Sequence, residues 1–138
     1  MQIRLVNAGD LDALFDANEA FNGPGCTTKE QMLKGLCNNP QETVCVAMVD
    51  GALAGFLCAQ QVHSLCYGTD HASIEELFVY DRYRRRGIGM ALMQYAQALF
   101  NERGIFTFSL CTGKDNLAAQ ALYEKLGYVA DDVRYIKQ

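Results

Sequence analysis

Tyr83-Arg84-Arg85-Arg86-Gly87-Ile88-Gly89-Met90 and, about thirty residues further on, Asn116-Leu117-Ala118-Ala119-Gln120-Ala121-Leu122-Tyr123-Glu124-Lys125-Leu126-Gly127-Tyr128 decide how this chain is read. The first stretch puts three arginines and two glycines in a turn directly before a segment of helical periodicity. N–H groups at a helix start have no internal acceptors, the helix dipole is positive there, and glycine lets a ligand approach the backbone closely. The guanidinium groups of Arg84, Arg85 and Arg86 add fixed positive charge, so the turn suits a pyrophosphate. A Walker loop would need Lys-Ser or Lys-Thr where Met90 stands, and a dinucleotide fingerprint would need a third glycine where Leu92 stands. In the second stretch Asn116 and Tyr123 are seven residues apart, nearly two helical turns, and so share a face. Taken singly, Asn116 reads as a helix N-cap and Tyr123 as packing.

Working outward, Gln2 to Val6 alternates as a strand, and Asp10 can cap a helix with Leu11, Leu14, Phe15 and Phe21 on its apolar face. Asn22-Gly23-Pro24-Gly25 breaks it, and Thr27 or Thr28 caps a second helix carrying Met32, Leu33 and Leu36 up to Asn38-Asn39-Pro40. Thr43–Val49 and Leu53–Val62 read as an antiparallel pair around a tight Asp50-Gly51 turn, followed by a polar loop from Ser64 to His71. Ser73–Tyr80 is the next strand, with Glu75, Leu77 and Val79 expected on one face and Ile74, Glu76, Phe78 and Tyr80 on the other. A helix from Gly87 to Arg103 ends at Gly104, Ile105–Cys111 is a buried strand, and a helix capped at Asp115 or Asn116 stops at Gly127. Tyr128 towards Ile136 then reads as a last strand. This order predicts an α/β (α+β) fold, residues 1–138 in one domain: a mixed, mostly antiparallel central sheet of about six strands with helices on both faces.

Half of the 138 residues are hydrophobic, enough for one sizeable core. Twelve Lys and Arg against sixteen Asp and Glu give a net charge of -4, the wrong sign for a nucleic-acid binder and a better match to cationic small molecules. No apolar run reaches about 18 residues and no basic-then-apolar leader follows Met1, so a cytoplasmic protein without membrane insertion is expected. The six cysteines read as buried free thiols, since a domain of this size needs no staples, and two histidines are too few for a zinc site.

Arg84-x-x-Gly87-x-Gly89, with Ile74-Glu75-Glu76-Leu77-Phe78-Val79 before it and the Asn116 to Tyr128 string after it, resembles the acetyl-CoA-binding signature of the GNAT N-acetyltransferases. The element order fits as well, so the resemblance covers nearly the whole chain. It implies acetyl-CoA as co-substrate. It also implies that the backbone of Leu77, Phe78 and Val79 pairs with pantetheine and that Arg84, Arg85, Arg86, Gly87, Ile88, Gly89 and Met90 wrap the pyrophosphate. Asn116 and Ala119 would hold the pantetheine arm, and Tyr123 would protonate the coenzyme sulfur. After Gly127 only about eleven residues follow, one strand where a longer hairpin is common in the family, and this bears on one wall of the acceptor pocket.

Acetyl transfer to an amine needs a neutral nucleophile and a protonated leaving thiolate, hence a base and an acid. Glu75 and Glu76 are carboxylates on an otherwise apolar strand, which calls for a reason. Glu75 stands where polyamine-acetylating members of the family carry a catalytic glutamate. Glu76, expected on the opposite face, would be structural or substrate-recognising, and Tyr80, His71 or water are alternative bases. The acceptor pocket should be built by the first two helices, their loop Phe21 to Thr27, and Ser64 to His71. The reading is an N-acetyltransferase acting on a primary amine of a small cationic molecule, a polyamine or aminoglycoside-like compound. Its alternatives are a protein or peptide N-acetyltransferase and a non-catalytic acyl-CoA-sensing module. The expected partners are acetyl-CoA and a small-molecule amine acceptor, with a homodimer as the alternative to a monomer.

Overall fold

The computed structural model describes residues 1–138. Its elements run β1 (Gln2–Leu5), a 3-10 turn, α1 (Leu11–Asn22), α2 (Lys29–Asn38), β2 (Glu42–Val49), β3 (Ala52–Val62) and β4 (His71–Val79). A second 3-10 turn, α3 (Ile88–Glu102), β5 (Phe108–Leu110) and α4 (Leu117–Lys125) follow. The strands lie side by side in chain order, antiparallel from β1 to β4, with β5 parallel to β4. Asp50 and Gly51 both take positive φ, 50° and 79°, the geometry of a two-residue hairpin whose twist matches the strands it joins.

Two cores flank the sheet. On one face Leu92, Ala96 and Phe100 of α3 are fully buried against Cys45, Leu57, Ala59 and Ile74. On the other, Leu14 and Ala17 of α1 pack on Val44, Val46, Phe56 and Phe78, with Met32 and Leu36 of α2 beside them. Alternating side chains of β2 and β3 feed the two cores in turn, which is why these strands read as continuous apolar runs. Thr28 caps α2 through the Gln31 N–H at 3.1 Å, and Gly104, with φ 79°, closes the end of α3.

Three expectations about the fold fail, the first being that Ile105–Cys111 is a buried strand: only Phe108–Leu110 pairs, Phe106 is 72% exposed and Cys111 is exposed. The sheet has five strands, because residues 128–136, expected as a last strand, form none. A strand needs a partner for its backbone groups, and the Tyr128 N–H is instead bound to the Tyr123 carbonyl at 3.0 Å, turning the chain out of α4. The cysteines are all unpaired, but Cys26, Cys37, Cys66 and Cys111 are exposed; only Cys45 is fully buried. Four of them fall in loops or at helix and strand ends, where apolar neighbours in sequence do not become neighbours in space.

Candidate active site

The site begins with an irregularity in β4. Cys58 pairs with Glu76 and Ala59 with Ile74, so Glu75 is the extra residue of a β-bulge. The bulge breaks alternation: Ile74 and Leu77 both belong to the α3 face, whereas Phe78 belongs to the α1 face. Glu75 and Glu76 therefore do not point to opposite sides. Glu75 accepts the Ser73 hydroxyl at 2.8 Å, and Ser73 pairs with Gln60, on the α1 face. Glu76 lies opposite Cys58 and lines a cleft on that same face. The expected separation of the two carboxylates is thus corrected to a neighbouring pair. Beyond Ile74 and Leu110 the β4–β5 ladder stops, so β4 from Glu75 to Val79 has no strand on that side. Unpaired β-strand backbone beside a parting in the sheet can accept an extended amide chain such as pantetheine.

At the end of β4 the chain enters the arginine turn. Arg85 and Gly87 take left-handed φ values of 66° and 75°, and every N–H from Arg85 through Met90 donates to no protein acceptor. Successive free N–H groups in such a turn form a concavity that binds anions, reinforced by the dipole of α3. The three arginines have different situations. Arg84 ties the turn together, donating from Nε to the Val79 carbonyl at 3.0 Å and pairing with Asp81 at 2.8 Å. Arg86 lies over the Tyr83 ring at 5.6 Å, and neither it nor Arg85 enters an ion pair within the chain. Arg85 and Arg86 are the free cations. A Cβ at Gly89 would stand 3.4 Å from Leu122 Cδ2, an ordinary contact, so α4 lies against the turn here. The donors, cations and open β4 edge fit the pyrophosphate and amide arm of acetyl-CoA.

Asn116 is the N-cap of α4, its side-chain oxygen accepting the Ala119 N–H at 3.2 Å. Gln120, which the sequence reading did not single out, donates to the Gly113 and Lys114 carbonyls at 3.1 and 3.0 Å and pins the loop entering the helix. Tyr123 is half-buried, packs against the α3-face core and stands 6.1 Å, ring to ring, from Tyr128. Its hydroxyl has no hydrogen-bond partner in the chain, and burial pushes its pKa above the ordinary phenol value. Tyr123 is therefore on the face opposite Glu75 and Glu76, and the parting of β4 from β5 opens between them.

Two clefts mark the carboxylate side. A cleft of about 230 Å³ is lined by Asn18 and Gln31 from the first two helices and by Glu42, Phe56, Cys58 and Glu76 from the sheet. A wider opening of about 530 Å³ is bordered by Phe21, Phe78, Tyr80, Asp81, Arg82 and Arg84. The rings of Phe21, Phe56 and Phe78, at mutual distances of 5.1 to 6.4 Å, separate the two. Ser64 to His71, expected as a pocket wall, lines neither cleft. Asp70 folds that loop back by accepting from Gln61 at 2.7 Å and meeting His63 Nδ1 at 2.7 Å.

Glu42 was not anticipated. Burial raises its pKa; the Gln60 amide bound to it at 3.0 Å opposes the shift and the charge of Glu75 adds to it. Glu76 is raised likewise, by burial first and by Glu75 and Glu42 in addition, with the nearby Asn22 amide opposing. No Lys or Arg of the chain pairs with Glu42, Glu75 or Glu76. Cys58 beside them is raised well above an ordinary thiol by burial and by these carboxylates, so it stays protonated and unreactive. A carboxylate that opens a strand otherwise built of apolar residues was the available sign of Glu42.

The Acetyltransferase (GNAT) family profile matches residues 11–128. Over 131 residues the chain is 29% identical to an uncharacterized N-acetyltransferase of Archaeoglobus fulgidus, with 89% of each chain covered. It is 33% identical over 85 residues to the (ribosomal protein bS18)-alanine N-acetyltransferase of Escherichia coli, a match covering 62% of this chain and 53% of that enzyme. The fold of the aminoglycoside N-acetyltransferase AAC(6')-Iy, in complex with the bisubstrate analog CoA-S-monomethyl-acetylneamine, superposes with a TM-score of 0.87 at 21% identity, covering 99% of this chain and 97% of that one. A profile running from α1 through Tyr128 takes in every element that builds the site, and on that ground the chain belongs to the GNAT family: it is an acetyl-CoA-dependent N-acyltransferase.

Proposed function

We propose that the protein transfers the acetyl group of acetyl-CoA to a primary amine of a small cationic molecule, a polyamine or an aminoglycoside-like compound. The observation that carries this reading is the bulge in β4, which turns Glu75 and Glu76 to one face while the strand parting leads through to Tyr123 on the other. The free N–H groups from Arg85 to Met90, with Arg85 and Arg86, hold the pyrophosphate. The open edge of β4 at Leu77, Phe78 and Val79 receives the pantetheine arm, with Asn116 and Ala119 at the start of α4 beside it. The amine nitrogen then bonds to the acetyl carbon as the carbon–sulfur bond breaks. Glu75, exposed at the bulge and able to pass a proton on to water, collects the proton of the amine; Tyr123 gives its own to the departing sulfur. Glu76 and Glu42, half-buried and without an internal cation, attract the charged acceptor into the cleft.

A coenzyme-release assay over polyamines, aminoglycosides, amino acids and peptides tests this reading. A polyamine or aminoglycoside with the highest kcat/KM supports it. Turnover confined to peptides would replace it with the second reading, a protein N-acetyltransferase. That reading draws on the Escherichia coli relative and on the opening of about 530 Å³ bordered by Phe21 and Tyr80.

A further inference from the structure

One rung of the β3–β4 ladder, Gln60 opposite Ser73, carries two side-chain donors, and each is spent on a different carboxylate. The Ser73 hydroxyl donates along its own strand to Glu75 Oε1 at 2.8 Å. The Gln60 amide donates across to Glu42 Oε2 on β2 at 3.0 Å. Ser73, Gln60 and Glu42 are half-buried, whereas Glu75 is exposed. As the extra residue of the bulge, Glu75 stands outside the rungs of the ladder. Ser73 is the one hydrogen-bond partner that the chain gives its side chain, and no Lys or Arg pairs with it. An exposed glutamate without a partner spreads over several rotamers. A neutral hydroxyl removes that freedom and leaves the negative charge unspent, which a guanidinium or ammonium would not do.

We propose that Ser73 is a positioning residue for the transfer: its hydroxyl holds the Glu75 carboxylate in the orientation from which it takes the proton of the incoming amine. The inference rests on the reading of Glu75 as the proton acceptor. Ser73 occupies Oε1 and leaves Oε2 of Glu75 without a partner in the chain, open to the amine. One proton passes from the amine nitrogen to that oxygen as the nitrogen–carbon bond forms and the carbon–sulfur bond breaks, and Glu75 then releases it to water. Ser73 keeps its own proton throughout. Such a transfer needs the two heavy atoms within about 2.6–3.2 Å, and a misplacement of about 1 Å costs up to roughly 10²-fold in rate. The other half of the rung does a different task. Gln60 fixes Glu42, which draws the charged acceptor into the cleft and takes no part in the proton transfer. One rung thus sets both the carboxylate that receives the proton and a carboxylate that recognises the substrate.

The test is steady-state kinetics at about pH 7 with the best acceptor of the coenzyme-release panel, on Ser73→Ala, Ser73→Thr, Glu75→Gln and the double variant Ser73→Ala with Glu75→Gln. Ser73→Ala should lower kcat about 5–50-fold and keep the KM of both substrates within about twofold. Ser73→Thr retains the hydroxyl on a side chain that suits a strand, so kcat should return to within about threefold of wild type. In the Glu75→Gln background Ser73→Ala should cost less than about a further twofold, because the group it positions is already gone. Gln60→Met should instead raise the acceptor KM with kcat kept. Wild-type kcat in Glu75→Gln would overturn the reading of Glu75 and this inference with it. A slow Glu75→Gln beside a Ser73→Ala of wild-type kcat would overturn this inference alone. So would a Ser73→Ala loss confined to KM, a Ser73→Thr that recovers nothing, or a Ser73→Ala loss equal in both backgrounds, which would trace the effect to the fold.

Discussion

At the scale of the residue, Tyr123 holds a proton at an atom that no other group of the chain claims. Burial raises its pKa, so the phenol is neutral throughout the range in which an amine is acetylated. Tyr123→Phe keeps the ring and its packing and deletes that proton; kcat should fall roughly 10²–10⁴-fold with little change in acetyl-CoA affinity. A loss confined to KM would make Tyr123 a binding residue instead. The carboxylates allow a sharper contrast. Glu75→Gln removes the proposed base at nearly constant volume, so activity should drop at neutral pH and recover as pH rises towards the amine's own pKa, near 10. Glu76→Gln should raise the acceptor KM and leave the shape of the pH profile alone. Profiles of kcat/KM for wild type and both variants with one acceptor decide this: a recovery seen in Glu76→Gln rather than Glu75→Gln would reverse the two roles.

At the scale of the element, the site depends on how β4 leaves its neighbours. Gly55 of β3 sits so close to the Phe78 carbonyl that a Cβ there would collide with backbone, and it would also crowd Val79. Gly55→Ala should therefore push the end of β4 outward and lower stability by about 1–3 kcal/mol, read as a drop in the urea midpoint. An unchanged midpoint would mean that β3 and β4 are not locked together. At the turn, Gly89→Val would set a branched side chain beside the free N–H groups and crowd the approach of a ligand to the backbone, so acetyl-CoA affinity should fall at least about tenfold by calorimetry while the fold persists. An unchanged dissociation constant would remove the turn from the site. These same elements set what could be read from sequence. The arginine turn, α3, α4 and the β2–β3 hairpin were legible because each carries a local signal: glycines at positive φ, a cap, a period of 3.6 or a two-residue turn. The bulge was not. Ile74 to Val79 is apolar on both faces, so an inserted residue changes no visible alternation, and only pairing with Cys58 and Ala59 reveals it. Glu42 was missed for a similar reason, since its partner Gln60 lies on another strand.

At the scale of the whole molecule, the acidic residues act on stability in opposite directions. Asp10 is held below the usual carboxylate range by its two bonds to Arg4, at 2.7 and 2.8 Å, with burial opposing and the Asn7 N–H assisting. Its contribution is present above the unfolded value, near 3.9, and is lost as pH falls through the lower folded one. Glu42 and Glu76 have raised values, so their contribution is present below the unfolded value, near 4.3, and is lost as pH rises through the folded ones. Half-buried negative charge without a protein cation thus costs stability as it forms, as expected of a surface arranged for a cationic ligand rather than for stability. Glu42→Gln tests this directly. The amide preserves the hydrogen bond from Gln60 and removes the charge, so any gain in stability should be larger at pH 7–8 than near pH 4, and small because solvent screens a half-exposed carboxylate. In the same variant the KM for a cationic acceptor should increase while acetyl-CoA affinity holds. Thermal melts at both pH values and steady-state kinetics check the two halves together. A gain equal at pH 4 and pH 8 would trace the effect to packing, and an unaltered acceptor KM would remove Glu42 from the cleft's recognition of charge.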